Sequence, residues 1–143
     1  MADTTILIPA AALVLWTVVM LVWMLIARAG LFRQHGIDLA KMPPGAVGGD
    51  IARVAPDAKD WAAQNYNHLM EQPTIFYAAC VILSLGGASG YDVGLAWFYV
   101  VVRVIHSVWQ ARVNVVLVRA ALFVVSSLAL VLLAIRAFLS VLG

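Results

Sequence analysis

The sequence predicts an all-α protein, an integral membrane four-helix bundle. Three observations predict it. First, 64% of the 143 residues are hydrophobic and only 11% are charged, whereas soluble domains average about 45–50% apolar and about 25% charged residues. Second, mean hydropathy is +0.99. Third, four apolar runs each approach the roughly 20 residues needed to cross a bilayer. They place spans at about 5–27, 62–85, 93–113 and 116–142, with one long polar loop at about 28–60. A chain of this length fits a single domain.

The first span, "TILIPAAALVLWTVVMLVWMLIA", is longer than the apolar core of a signal peptide, and "MADTT" lacks the positive flank of one. It reads as a retained span. Pro9 falls in its first turns, where a missing N–H costs little. The loop that follows contains "KMPPGAVGGD", a Pro/Gly-rich stretch expected to be non-helical. The second span opens amphipathically near Asp60 and ends near Leu85, with Pro73 expected to kink it. "GGASGYD" then supplies a glycine turn. Between spans three and four, "RVNVVLVR" offers no Gly or Pro to mark the join.

Charge sets an expected orientation. The first loop carries Arg28, Arg33, Lys41, Arg53 and Lys59, and the last turn carries Arg112 and Arg119. The loop after span two has Asp92 and no Lys or Arg. The positive-inside rule puts the first loop and last turn in the cytoplasm and both termini on the other side. The acidic Asp3 agrees with that placement. The compact chain points to a bacterial inner membrane. A formal charge of +2 without a basic tract gives no reason to expect nucleic acid. Membrane lipids are the expected surroundings.

Polar residues inside apolar spans are expensive, so they usually face protein or a wet cavity. Gln64, Asn67, His68 and Glu71, the sole glutamate, fall at helical spacing on one face of span two. Arg103, His106, Gln110 and Asn114 do the same on span three. The obvious partner for a deep Arg103 is Glu71, so an interhelical pair is expected. Arg119 lies two turns after Arg112 and either snorkels to the interface or presents a fixed fork to an anion. His68 and His106 are more simply interior histidines than metal ligands, and the spans lack the further carboxylates that a di-metal bundle needs. Cys80, the only cysteine, sits in an apolar run and reads as a small buried hydrophobe. No nucleophile elbow, phosphate loop or dinucleotide fingerprint occurs.

Four spans, a long first loop, the polar start of span two with Glu71, and "RVIHSVWQARVNVVLVR" with Arg103, His106 and Arg119 together resemble the MAPEG family. These are the membrane-associated proteins in eicosanoid and glutathione metabolism. The resemblance covers nearly the whole chain. It implies a homotrimer with a glutathione site between neighbouring subunits, open to the cytoplasm. By position Arg119 matches the arginine that stabilises the glutathione thiolate. Glu71 and Arg103 match residues that hold glutathione, and His68, Asn67, Gln64 and Gln110 fall around them. The chain departs from the eukaryotic enzymes at three of these positions. Gln64 stands for an arginine, His68 for an asparagine and Gln110 for a tyrosine, and losing an arginine removes a bidentate grip on a carboxylate.

The resemblance implies a glutathione-dependent transferase or peroxidase acting on a lipophilic small molecule. The competing expectation is a non-catalytic protein on the same fold, either an accessory subunit of a larger membrane complex or a lipid- or quinone-binding protein. A small channel has less support, because the paired broken helices of many transporters are not evident.

Overall fold

The computed structural model describes residues 4–142. Asp3, used above as a topology marker, lies outside them. The described residues form six helices: α1 (Leu7–His35), α2 (Ile51–Val54), α3 (Trp61–Leu69), α4 (Pro73–Gly86), α5 (Gly90–Arg112) and α6 (Val116–Ser140). Four helical stretches are long and apolar enough to cross a membrane: Thr4–His35, Trp61–Gly86, Gly90–Arg112 and Val116–Ser140. The protein is an all-helical integral membrane bundle.

The first stretch has 32 residues. At 1.5 Å per residue it is about 48 Å long, whereas the hydrocarbon core measures about 30 Å. The surplus is residues 28–35, expected to be loop, which continue the helix until Gly36 takes a left-handed φ of 63°. The remaining loop is not shapeless. Asp38 caps a short turn at Leu39–Lys41, and Gly48–Asp50 forms another that leads into α2. Arg28 ties the loop's far end to α1: its Nη2 donates to Asp60 Oδ2 at 2.7 Å and its Nε reaches both carboxylate oxygens at 3.2 Å.

Pro73 does more than kink span two. It opens α4 at the first helical position, where its missing N–H is cheap. Residues Met70 to Gln72 form a turn between α3 and α4. Glu71 therefore sits on a break and not on a helix face.

The glycine-rich stretch after α4 turns more tightly than expected. Only Gly87, at φ 95°, uses a left-handed conformation there, while Gly86 ends α4 and Gly90 begins α5. Ser89 and Asp92 form a reciprocal cap that starts α5 three residues earlier than hydropathy alone suggests. At the other end of α5 the missing turn signal is Asn114. It adopts φ 55°, and asparagine tolerates this region better than most residues.

α5 packs against α6, α1 and α3; α4 packs against α6 and α1; and α1 also packs against α3. Leu13, Phe76, Leu83, Tyr99, Leu130 and Leu133 fill the shared core. The Phe76 and Tyr99 rings stack with centroids 4.4 Å apart. Cys80 is buried among them.

Candidate functional site

The bundle core is apolar through its middle and polar towards the end that carries the first loop. Tyr99 donates to Gln72 Oε1 at 3.3 Å, and Gln72 Nε2 donates to Ser127 Oγ at 2.7 Å. These bonds tie α5, the α3–α4 break and α6 into one layer. One turn further along α5 comes Arg103, with 0% of its surface exposed. His106, Ser107 and Gln110 complete a buried polar face on α5. Asn65 Nδ2 donates to Ser107 Oγ at 2.8 Å and locks α3 against α5.

Arg103 does not pair with Glu71 directly. Its Nη1 lies 3.3 Å from His68 Nε2, and its Nη2 donates to the His68 carbonyl at 3.2 Å. His68 Nδ1 in turn lies 3.1 Å from Glu71 Oε2. The expected ion pair is thus a three-member chain with imidazole in the middle. The break at residues 70–72 explains this. It leaves the Glu71 side chain 70% exposed, while His68, still on α3, points inward.

The four polar residues of span two do not share a face in the way their spacing suggests. Gln64 and Asn67 line a cleft of about 520 Å³ with Arg28, Asp60, Gly48 and Gly49. His68 faces the other way. Its ring lies 5.1 Å from His106 and 5.4 Å from Phe123. One face of α3 therefore serves the loop cleft and another serves the interior. Asn65, between them in sequence, is fully buried.

The span-three stripe holds for Arg103, His106 and Gln110 but not for Asn114, which lies beyond α5 in the turn. That turn also separates the two arginines. Arg112 lies over the Trp23 ring at 5.1 Å, against α1. Arg119, in the first turn of α6, donates from Nη1 to Asn114 Oδ1 at 2.7 Å. Arg119 thus acquires a fixed direction from the residue that makes the turn.

Arg119 lines a pocket of about 210 Å³ with His68, His106, Val116, Ala120 and Phe123. Its lining joins a guanidinium and two imidazoles to apolar side chains. On the buried polar face of α5, Arg103 Nε, His106 Nε2 and Gln110 Oε1 lack a hydrogen-bond partner, and of the three residues His106 lines the pocket. Buried polar groups in folded proteins are nearly always bonded, so these three make this region the candidate site, although Trp16 Nε1 and Asn65 Oδ1 are also buried without a partner. His106 stands out because the sequence favoured a satisfied interior histidine, yet its Nε2 is unsatisfied. No signal in the sequence separates those two states.

Among the described residues, no group of three or more His, Cys, Asp or Glu side chains is placed to hold a metal. No curated protein and no solved structure matches the chain. The MAPEG family model matches residues 6–139. With four membrane-length helices and a family match over nearly its whole length, the chain belongs to the MAPEG family, integral membrane proteins of eicosanoid and glutathione metabolism.

Proposed function

We propose that the protein is a glutathione-dependent transferase or peroxidase for lipophilic substrates, working as a homotrimer. The observation that carries this reading is Arg119. Its guanidinium is aimed by Asn114 into a pocket that is partly apolar, and it has no carboxylate partner among the described residues. Glutathione would bring a thiol of ordinary pKa about 8.5, reactive towards electrophilic carbon or peroxide oxygen as the thiolate. Arg119 favours the thiolate by its charge. His106 Nε2 offers a buried polar contact on the same pocket wall. Phe123 and Val116 exclude water and receive the apolar partner.

The fit is partial within one copy, and this supports assembly. A pocket of about 210 Å³ is smaller than the roughly 300–1,000 Å³ of typical ligand sites. It takes the reacting end of a tripeptide but not its length. Gln64 and Asn67 line a separate cleft, not this pocket. In this reading a neighbouring copy supplies the rest of the site. In this reading Glu71, exposed on the break with one carboxylate oxygen on His68, meets a ligand ammonium. By charge distribution, the loop side of the bundle is cytoplasmic and the termini lie opposite, and the compact chain fits a bacterial inner membrane.

Thiolate formation tests the reading. Reduced glutathione mixed with detergent-purified protein should give the ultraviolet absorbance of a bound thiolate at neutral pH, and conjugation of an apolar electrophile should follow. Arg119→Ala should abolish both. A folded wild-type protein that produces no thiolate would sink the catalytic reading. It would leave the accessory or lipid-binding protein, whose support is the loss of the arginine replaced by Gln64.

A further inference from the structure

The contacts of His68 dictate where its proton must sit. A guanidinium has only N–H donors, and a neutral imidazole has one donor and one acceptor. Arg103 Nη1, 3.3 Å away, therefore requires Nε2 to accept. The proton then lies on Nδ1, which donates to Glu71 Oε2 at 3.1 Å. Both ring nitrogens are spent inside the chain. His68 is thus not free to bind a ligand, although it borders the pocket.

We propose that His68 is a proton-operated positioning residue. Its neutral Nδ1–H form holds the buried Arg103 guanidinium in place, and a proton added at Nε2 releases it. Adding that proton sets N–H against N–H at a 3.3 Å contact. Arg103 then keeps only the His68 carbonyl as a hydrogen-bond acceptor. The surroundings compete over the charge. Glu71, beyond the end of α3, favours it, while Arg103 and His106 on α5 and Arg119 on α6 crowd it. On α1 the first charged residue towards this end, Arg28, is committed to Asp60. The consequence is a site whose buried arginine is held at neutral pH and loosened on acidification.

Two measurements on the ligand-free protein test this. The first is ¹⁵N NMR of histidine-labelled protein at pH 8, assigned with His35→Gln and His106→Gln. It should find His68 as the Nδ1–H tautomer, the less common form of a free neutral imidazole. The second is thermal unfolding between pH 8 and 5.5. His68→Gln keeps a non-titrating acceptor at the same reach. Wild type should lose at least about 3 °C more than His68→Gln over that range. An Nε2–H tautomer would overturn the proposal. So would a His68→Gln profile that tracks wild type, or a pH dependence removed by His106→Gln instead. If His68→Gln does not fold, the ¹⁵N spectra of wild type decide when followed down to pH 5.5, where a His68 ring that stays Nδ1–H and neutral would overturn the proposal. Neither readout contains glutathione, so this proposal and the proposed reaction fail separately.

Discussion

The two ends of the bundle treat a buried charge in opposite ways. At the end where α5 begins, Asp92 is fully buried and fully met. Arg136 Nε and Nη2 donate to its two oxygens at 2.9 and 3.1 Å, and Ser89 adds its N–H at 2.8 Å and its hydroxyl at 2.6 Å. At the end towards the first loop, Arg103 is equally buried, yet it reaches its carboxylate only through an imidazole and leaves Nε unpartnered. Both arrangements cost desolvation. Only the first closes its own hydrogen bonds. The second keeps unmet groups beside a pocket, as expected of a site completed by a ligand or a neighbour. One end is a closed clasp; the other leaves buried polar groups without partners.

Substitutions should separate the two. The largest loss of stability is expected from Arg136→Ala. It strands the Asp92 carboxylate and should lower the melting temperature by at least about 5 °C, a figure already discounted for the partial exposure of Arg136. Any glutathione response should survive in the fraction that folds. Ser107→Ala comes next. Asn65 Oδ1 already lacks a partner, so removing the hydroxyl leaves the whole buried amide unbonded, at a cost of about 1–3 kcal/mol by denaturant or thermal unfolding. Arg103→Met should reverse the pattern seen at the clasp. Replacing a poorly paired buried ion with an apolar chain should change stability by less than about 1 kcal/mol in either direction, while ligand binding collapses. If Arg103→Met proves as destabilising as Arg136→Ala, the contrast between the ends is wrong.

The smallest effect is the most selective. Asn114→Gly keeps the left-handed turn and should alter stability by no more than about 0.5 kcal/mol. It also removes the amide oxygen that aims Arg119. Ligand affinity should fall while the melting temperature holds. Asn114→Ala should lose both, with about 1–2 kcal/mol of stability from the strained φ. Equal ligand binding in Asn114→Gly and wild type would mean that Arg119 needs no aiming.

The helices were legible in the sequence because a membrane enforces a simple rule, about 20 apolar residues per crossing. That rule ignores helix ends, which explains the errors at the boundaries. Arg28 to His35 are polar but remain helical, because a helix leaving the bilayer continues until a left-handed glycine stops it. The last turn was hidden because Asn114 does what a search for Gly or Pro looks for elsewhere. The candidate site was half legible. Spacing put Arg103, His106 and Gln110 on one face, and they share a buried face because α5 is unbroken through them. It failed around Glu71 because Pro73 resets the helix just after it. Gln64 and Asn67 were grouped with His68 by periodicity, but a helix enclosed on several sides has more than one polar face. Asn65 gave no signal, since its buried bond depends on a serine 42 residues away.

The central claim is that the unmet polar end is a glutathione receptacle centred on Arg119. Thermal unfolding of the purified protein with and without millimolar reduced glutathione tests it most directly, with Arg119→Ala and Arg136→Ala alongside. A ligand that binds only the folded state stabilises by RT ln(1 + [L]/Kd), about 1.4 kcal/mol at ten times Kd. The account predicts a clear upward shift in wild type and in whatever Arg136→Ala protein folds, and none in Arg119→Ala. A folded wild-type protein with no shift, or an equal shift in Arg119→Ala, would contradict it.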